Sequence, residues 1–342
     1  MLFLLIFAAF VCLVLIIKGA DIFLNSSIYI AKKTGMSQVL IGATIVSVGT
    51  TLPEITVSII AAIKGDFSLS VTNALGSIFC NTAFILGVAF MCVSTVLIKK
   101  EFSKKIIFLI VTVLLILIFS LLGVFNMYEA LGLLCIFLVY IIYNIYQAKT
   151  PQPDLIVENK PDSIIEENKG KPVKVKKICV VVLFFILGAL MLGVGAYFLV
   201  EVITRISIDY LGISTGILGV TVVALGTSLP EFITAITAVK KKSVQISIGN
   251  IIGANIINGT FILGICGLIG GQFNINAQDT LYIATNGNIS SAVLCAILCF
   301  AVILIAFVPI LIKGKTFKWQ GYILVSVYIA YILYLVLSIA LN

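Results

Sequence analysis

The sequence contains no histidine and few charged residues, and both shortages restrict what the protein can do. Charged residues make up 11% of the 342-residue chain, whereas hydrophobic residues make up 61% and the mean hydropathy is +1.24. The absence of histidine argues against a zinc or haem site and against a histidine proton relay. The eight cysteines all lie in apolar runs and form no CxxC pair, so we interpret them as small buried apolar residues.

Polar interruptions are scarce as well, and apolar runs of about 20 residues recur through the chain, the length that crosses a bilayer as a helix. We therefore predict an all-α integral membrane protein with ten transmembrane helices. The predicted spans cover residues 2–24, 37–63, 68–97, 106–124, 127–147, 178–203, 212–239, 244–270, 290–312 and 319–341. The first run lacks a basic segment before it and a small-residue cleavage site after it. We expect a retained helix that continues as an amphipathic segment to Lys33.

One charged segment interrupts this pattern near the middle of the chain. Residues 149–177 contain seven lysines, five acidic residues and four of the seven prolines. Such a composition cannot bury a core and predicts a flexible aqueous linker. The linker separates residues 1–148 from residues 178–342, each with five predicted spans.

The positions of the basic residues predict the orientation in the membrane. If the N-terminus is outside, 19 of the 22 basic residues fall on the opposite side, which is then cytoplasmic and includes the linker. Both termini are expected outside, in a multi-pass protein of the plasma membrane. The same placement explains the net charge of +8 without nucleic acid, so no nucleic-acid partner is predicted and the lipid bilayer is the surrounding medium.

Two glutamates lie inside apolar runs, each directly after a proline. The segments are Gly49–Glu54 (GTTLPE) and Gly226–Glu231 (GTSLPE), which are 177 residues apart. At this offset, residues 42–87 and 219–264 are identical at 19 of 46 positions, including Gly, Pro, Glu and Asn. Five predicted crossings separate the two copies, and because five is odd, the copies run in opposite directions. We therefore predict two inverted-topology repeats of five helices, an architecture typical of secondary transporters.

The repeated Pro-Glu pairs predict one cation site between the two halves. Pro53 and Pro230 lack an N–H and should unwind their helices, leaving the carbonyls of residues 47–49 and 224–226 without helical partners. An ionised carboxylate in the membrane costs about 2.5–3.5 kcal/mol on insertion scales, so two in matching places indicate function. A simple proline kink is the alternative for the breaks alone.

Hydroxyl and amide oxygens accompany the two glutamates in each copy. Thr50 and Thr227 lie four residues before Glu54 and Glu231, on the same helix face if the helix is maintained. These hydroxyls could instead bond to their own helix. The helix that follows carries further candidates at a spacing of four residues: Asn73, Ser77 and Asn81 in the first copy, and Asn250, Ala254 and Asn258 in the second. Asparagines in a membrane also join helices, which is the alternative for them.

All of these candidate ligands are oxygen atoms, which favours Ca²⁺ with its six to eight oxygen ligands. Two carboxylates neutralise one Ca²⁺, and without it they need protons or monovalent cations. This requirement provides an electrostatic basis for ion exchange.

The strings VSVGTTLPE with NALGSIFCN, and VALGTSLPE with GNIIGANIIN, resemble the two alpha-repeat motifs of the calcium/cation antiporter superfamily, on its sodium/calcium exchanger side. The resemblance implies an antiporter that exchanges Ca²⁺ for Na⁺ and exports Ca²⁺, with no enzymatic activity, no cofactor and no obligatory protein partner. It implies Glu54 and Glu231 as the central ligands, and the first and sixth spans as sliding helices. The further ligands that it implies are Thr50, Thr51, Ser77, Asn81, Thr227 and Ser228, with the backbone carbonyls of Ser47 and Ala224 at flanking sodium positions.

Three positions depart from the family pattern. Asn258 stands where an aspartate is frequent, Ala254 where a serine is common and Ile78 where an asparagine is common. The site therefore has two acids, which leaves a Ca²⁺/H⁺ or K⁺-assisted antiporter of the same fold open as an alternative. A passive cation channel is a hypothesis from another class, and an intramembrane enzyme lacks a nucleophile or redox partner.

Overall fold

The computed structural model describes residues 2–34, 36–65, 67–97, 99–149, 178–211, 223–271, 273–274 and 291–340. The α-helices, numbered α1–α15 in chain order, are Leu2–Thr34, Gln38–Ile41, Ser47–Thr50, Leu52–Ile63, Phe67–Phe79, Gly87–Cys92, Lys99–Leu122, Met127–Lys149, Ile178–Leu211, Ala224–Thr227, Leu229–Lys240, Val244–Ile256, Leu263–Gly270, Ser291–Lys313 and Lys318–Ala340. Three π-helical segments join neighbouring α-helices: π1 is Gly42–Val46, π2 is Cys80–Leu86 and π3 is Ile257–Ile262. Two short strands, β1 at Val124–Phe125 and β2 at Phe273–Asn274, pair antiparallel.

Helices lie at all ten predicted positions, as far as these are described; residues 212–222 of the seventh span lie outside the described residues, as does the predicted linker beyond Lys149. Among the described residues, seven helices are long and apolar enough to cross a membrane. The bent pair formed by 38–50 and 52–63 makes an eighth if it counts as one span. The prediction of a helical membrane protein is therefore confirmed, whereas the count of ten crossings stays a prediction.

The first helix has an apolar outer face and a buried inner face. Phe3, Phe7 and Phe10 are more than half exposed, as expected for side chains that contact lipid. On the inner face, Ile16 and Phe23 are fully buried against α9. The helix continues to Thr34, which confirms the predicted extension beyond the first span.

Close packing joins α1 to α9 through small residues. A Cβ atom at Gly188 of α9 would lie 2.6 Å from the backbone nitrogen of Phe23, and one at Gly195 would lie 2.8 Å from Ile16. These two helices form a smaller core with part of the second-copy helix α11. Most other helices share a larger core, which includes Ile78, Phe102, Ile251, Val302 and Phe307.

Two of the 19 basic residues that are predicted to lie on the cytoplasmic side, Lys105 and Lys241, also have contacts within the protein. Lys105 is fully buried, donates to the side-chain oxygen of Gln147 and lies 5.3 Å from the ring centre of Tyr143. Lys241 forms an ion pair with Asp21 of α1 at 2.9 Å. The distribution of basic residues predicts only on which side of the membrane a lysine lies. It does not predict these contacts.

The prediction that all cysteines are buried is wrong for three of the eight. Cys92, Cys135 and Cys179 are exposed, whereas the other five are buried. The three exposed thiols lie on helices whose outer faces are apolar, and an apolar run does not distinguish a lipid-facing position from a core position.

Candidate cation-binding site

Both predicted helix breaks are present, and they have the same backbone geometry. In the first copy, α3 ends at Thr50, Thr51 has φ −83° and ψ 2°, and α4 begins at Leu52 with an axis bent by 48°. In the second copy, Ser228 has φ −83° and ψ 4° between α10 and α11. Each proline lies in the first turn of the helix after the break, where a missing N–H removes no helical hydrogen bond.

The break places each glutamate in the first turn of a 12-residue helix, Glu54 in α4 and Glu231 in α11. A negative charge at this end is stabilised by the positive end of the helix dipole, typically by about 0.3–1 kcal/mol at exposed sites. Both side chains are 0% exposed. The geometry therefore provides part of the stabilisation that a buried carboxylate needs.

The prediction that residues 47 and 224 lose their carbonyl partners is wrong. The Ser47 carbonyl accepts the Thr51 N–H at 3.0 Å, and the Ala224 carbonyl accepts the Ser228 N–H at 3.1 Å. The chain keeps one last helical hydrogen bond before each break because the proline interferes further along, at residues 49 and 226. Each carbonyl also lies within hydrogen-bond distance of the hydroxyl three residues further on, Thr50 at 3.4 Å and Thr227 at 3.2 Å, so a cation bound to it would replace that hydroxyl contact.

Hydroxyl groups of each copy bond to the carboxylate of the other. Thr51 Oγ1 donates to Glu231 Oε1 at 3.1 Å, and Ser228 Oγ donates to Glu54 Oε1 at 3.1 Å. These two bonds are related by the same offset of 177 residues as the sequence repeat. The contacts bring the two breaks side by side, in the relation that the sequence predicted, and they show which hydroxyl meets which carboxylate, which the sequence did not.

A second reciprocal pair surrounds the first. Thr50 Oγ1 donates to Asn250 Oδ1 at 3.1 Å, and Thr227 Oγ1 lies 3.3 Å from Asn73 Oδ1. Each threonine also contacts the carbonyl three residues back in its own helix, at 3.4 Å for Thr50 and 3.2 Å for Thr227. Each hydroxyl therefore lies near both a side chain of the other copy and a carbonyl of its own helix, which are the two alternatives for it. The contacts of Asn73 and Asn250 join the two copies.

Among the residues that the structure describes, no basic side chain balances the charge of the two glutamates. Oε2 of Glu54 and of Glu231 is buried without a hydrogen-bond partner, and neither carboxylate forms an ion pair with a described basic residue. In the part of the chain that the structure describes, no three His, Cys, Asp or Glu side chains lie close enough together to hold a metal ion by themselves. Two buried carboxylates without a counter-charge are costly, so the chemistry of this pair suits a cation.

Three further predicted residues are buried beside these breaks or on the helices that pack against them. Ser77 lies in α5, Asn81 in π2 and Asn258 in π3, all 0% exposed. The Ser77 hydroxyl, the Asn81 amide oxygen and both amide ends of Asn258 have no hydrogen-bond partner among the described residues. π-Helical segments often mark functional sites, and π2 and π3 occupy corresponding positions of the two copies.

Sequence reasoning overlooked two polar contacts near the site. Asn255 of α12 bonds both to Asn81 and to Thr82. Tyr140 of α8 donates to the Ala43 carbonyl in π1 at 2.7 Å. The signal for Asn255 was present, because the string GANIIN carries it three residues before Asn258. Nothing in the sequence linked Tyr140 to a residue 97 positions earlier.

Comparisons with known proteins find similar sequences over nearly the whole chain. The sequence model of the family described as sodium/calcium exchanger protein matches residues 4–146 and 180–337. An uncharacterized membrane protein of Methanocaldococcus jannaschii is 28% identical over 317 residues, covering 93% of each chain. The sodium/calcium exchanger MaX1 of Methanosarcina acetivorans is 28% identical, covering 94% of this chain and 96% of its own.

Solved structures give the same result for the fold. The sodium-calcium exchanger NCX_Mj, soaked with Na⁺ and Sr²⁺, superposes with a TM-score of 0.77 at 26% identity. The match covers 97% of this chain and 99% of that one.

Proposed function

Because the chain belongs to the sodium/calcium exchanger protein family, we propose that it is a secondary active antiporter that exchanges Ca²⁺ for Na⁺. It is an integral multi-pass membrane protein of a transporter family, and its ions are substrates rather than cofactors. The proposed direction is export of Ca²⁺ from the cytoplasm through the plasma membrane.

The observation that carries the proposal is the reciprocal pair of hydroxyl–carboxylate bonds between the two breaks. Through Thr51 and Ser228, two buried carboxylates of opposite copies come to one place, each with a free Oε2 atom. We propose Glu54 and Glu231 as the central cation ligands. The further proposed ligands are Thr50, Thr51, Ser77, Asn81, Thr227, Ser228, Asn258 and the backbone carbonyls of Ser47 and Ala224.

Exchange follows from the charge of this ligand set. Oxygen atoms alone suit Ca²⁺, and two carboxylates match its two charges. After Ca²⁺ leaves, the carboxylates remain in a low-dielectric site and need a replacement charge, which Na⁺ would supply. The empty site is the unfavourable state, so the release of one ion favours the binding of the other.

The proposed architecture is a pair of inverted five-helix repeats, with α1 and α9 sliding against the rest. Two equivalent contacts, related by the offset of 177 residues, support this proposal. A Cβ on Gly49 would lie 2.7 Å from the Phe23 ring, and one on Gly226 would lie 2.7 Å from Val200. Phe23 is in α1 and Val200 in α9, so each of these helices contacts the break of its own copy. Movement of either helix would therefore alter the surroundings of a break.

The test is uptake of radioactive Ca²⁺ into vesicles that contain the purified protein. We expect uptake when Na⁺ is loaded inside and diluted outside, and none from a pH gradient alone. Uptake driven by pH, or an absolute need for K⁺, would identify the alternative antiporters. Ca²⁺ uptake that does not depend on a gradient of Na⁺, H⁺ or K⁺ would contradict antiport and favour a passive channel.

Carboxylate variants test the site separately from the coupling ion. Glu54→Gln and Glu231→Gln keep the shape but remove the charge, and each is expected to abolish Ca²⁺ flux while the protein still folds. Glu201→Gln is the matched control, because the Glu201 side chain is partly exposed and pairs with Arg205 one helical turn away. Near-normal flux in either site variant would show that these carboxylates do not carry the cation.

A further inference from the structure

Asn255 is a buried amide in α12 with both of its ends occupied. Its Oδ1 accepts a hydrogen bond from Asn81 Nδ2 at 3.1 Å, and its Nδ2 donates to Thr82 Oγ1 at 2.8 Å. All three side chains are 0% exposed. Asn255 belongs to the second copy and both partners belong to the first, so the bonds cross between the copies.

These two bonds determine which end of the Asn81 amide remains free. An asparagine side chain has one donor end and one acceptor end, and the donor end of Asn81 is held by Asn255. The acceptor, Oδ1, is buried and has no hydrogen-bond partner among the described residues. A cation needs the oxygen end, because the NH₂ end of the reversed amide would repel it.

We propose that Asn255 is a positioning residue that holds the Asn81 amide with its oxygen available to the transported cation. The inference rests on the proposed role of Asn81 as a ligand. Thr82 holds Asn255 in turn: its hydroxyl oxygen accepts a hydrogen bond from the Asn255 NH₂ group at 2.8 Å, while the Asn255 oxygen faces Asn81. The hydrogen bonds therefore link Thr82 to Asn255 and Asn255 to Asn81, and Asn81 Oδ1 remains without a partner among the described residues.

The second copy lacks an equivalent arrangement. At the offset of 177 residues, Asn255 corresponds to Ile78 and Thr82 corresponds to Gly259. The two residues lie near each other but offer no polar side chain: a Cβ built on Gly259 would lie 3.5 Å from Ile78 Cδ1. Asn258, the counterpart of Asn81, has neither amide end bonded within the described ranges. The two central amides thus differ: Asn81 is held in one orientation, whereas Asn258 is free to present either end.

The test measures Ca²⁺ affinity by titration of the purified protein in detergent, which requires no assumption about the coupling ion. Asn255→Leu removes both bonds at similar volume, and we expect Ca²⁺ binding to weaken about tenfold, the size of effect given by one lost buried hydrogen bond. In an Asn81→Ala background, the same substitution is expected to have no further effect. A purely structural role would weaken binding equally in both backgrounds and would overturn the proposal.

A milder pair of variants decides the matter if Asn255→Leu does not fold. Thr82→Val removes the hydroxyl that holds Asn255 and is expected to weaken Ca²⁺ binding severalfold, whereas Thr82→Ser retains the hydroxyl and is expected to retain the wild-type affinity. Equal affinity in Val and Ser variants would contradict the inference. Absence of Ca²⁺ binding by the wild-type protein would instead overturn the proposed function, so the two failures are distinguishable.

Discussion

At the scale of single residues, Thr51 and Ser228 are the groups that connect the two carboxylates. Each hydroxyl donates its hydrogen to the carboxylate of the other copy, at 3.1 Å in both cases. A hydroxyl also has lone pairs, so it can hold a carboxylate in place while its oxygen faces a cation. Both functions depend on the hydroxyl and not on the shape of the side chain.

The residue-scale prediction uses this dependence. Thr51→Val keeps the shape but leaves Glu231 Oε1 without its donor, and hydrogen bonds to charged groups contribute about 1.5–3 kcal/mol. We expect Ca²⁺ affinity to fall about tenfold or more in titrations, while the Thr51→Ser control retains it. If the valine variant binds Ca²⁺ as tightly as the wild type does, the hydroxyl is not required.

At the scale of helices, the position of α12 depends on two glycines that face α2, π1 and α3, the segments before the first break. A Cβ on Gly249 would lie 2.6 Å from the Val39 carbonyl oxygen, and one on Gly253 would lie 2.5 Å from Ser47 Oγ. These distances leave no room for a methyl group. α12 can therefore approach α2, π1 and α3 only with glycine at these positions.

The helix-scale prediction concerns Gly253→Ala. The added methyl must push α12 away from Ser47, and overpacking of this kind costs about 1–3 kcal/mol. We expect a lower thermal unfolding temperature in detergent together with reduced Ca²⁺ flux. Gly132→Ala on α8 is the control, because a Cβ there would meet nothing within 4 Å. Equal behaviour of the two variants would argue against the close contact.

At the scale of the whole molecule, contacts between segments that connect the helices are consistent with the proposed topology. β1 pairs with β2, and both follow spans that are proposed to end outside. Thr95 and Thr316 pair through backbone and side-chain bonds. Thr95 lies at the end of the third predicted span, which is proposed to end on the cytoplasmic side, and Thr316 lies in the segment proposed to be cytoplasmic between the last two spans. Segments that touch must lie on the same side of the membrane. These pairings therefore support the proposed arrangement of crossings.

Labelling of single cysteines tests that arrangement. The native Cys92, Cys135 and Cys179 would first be replaced by serine, because they are exposed. A membrane-impermeant maleimide is expected to label the Lys64→Cys variant in intact cells, because this position is proposed to lie outside. The Lys315→Cys variant is expected to be labelled only after permeabilisation, because this position is proposed to be cytoplasmic. Both positions are exposed, so access decides the result. The reverse pattern would invert the proposed orientation and with it the proposed direction of Ca²⁺ transport.

The sequence by itself determined the helical membrane fold, the helix positions, the family and the two breaks. These features follow from local causes: apolar runs of membrane length, and prolines that cannot continue a helix. The repeated GTTLPE and GTSLPE segments also identified the two carboxylates, because charge in an apolar run is conspicuous.

Only the tertiary structure decided how the polar groups pair. The bond from Thr51 to Glu231 joins residues 180 positions apart, and the bond from Asn255 to Asn81 crosses 174 positions. The burial of Lys105 was likewise absent from the sequence prediction. Hydrophobic pattern and local propensity specify each helix separately, whereas these contacts depend on which faces meet when distant helices pack.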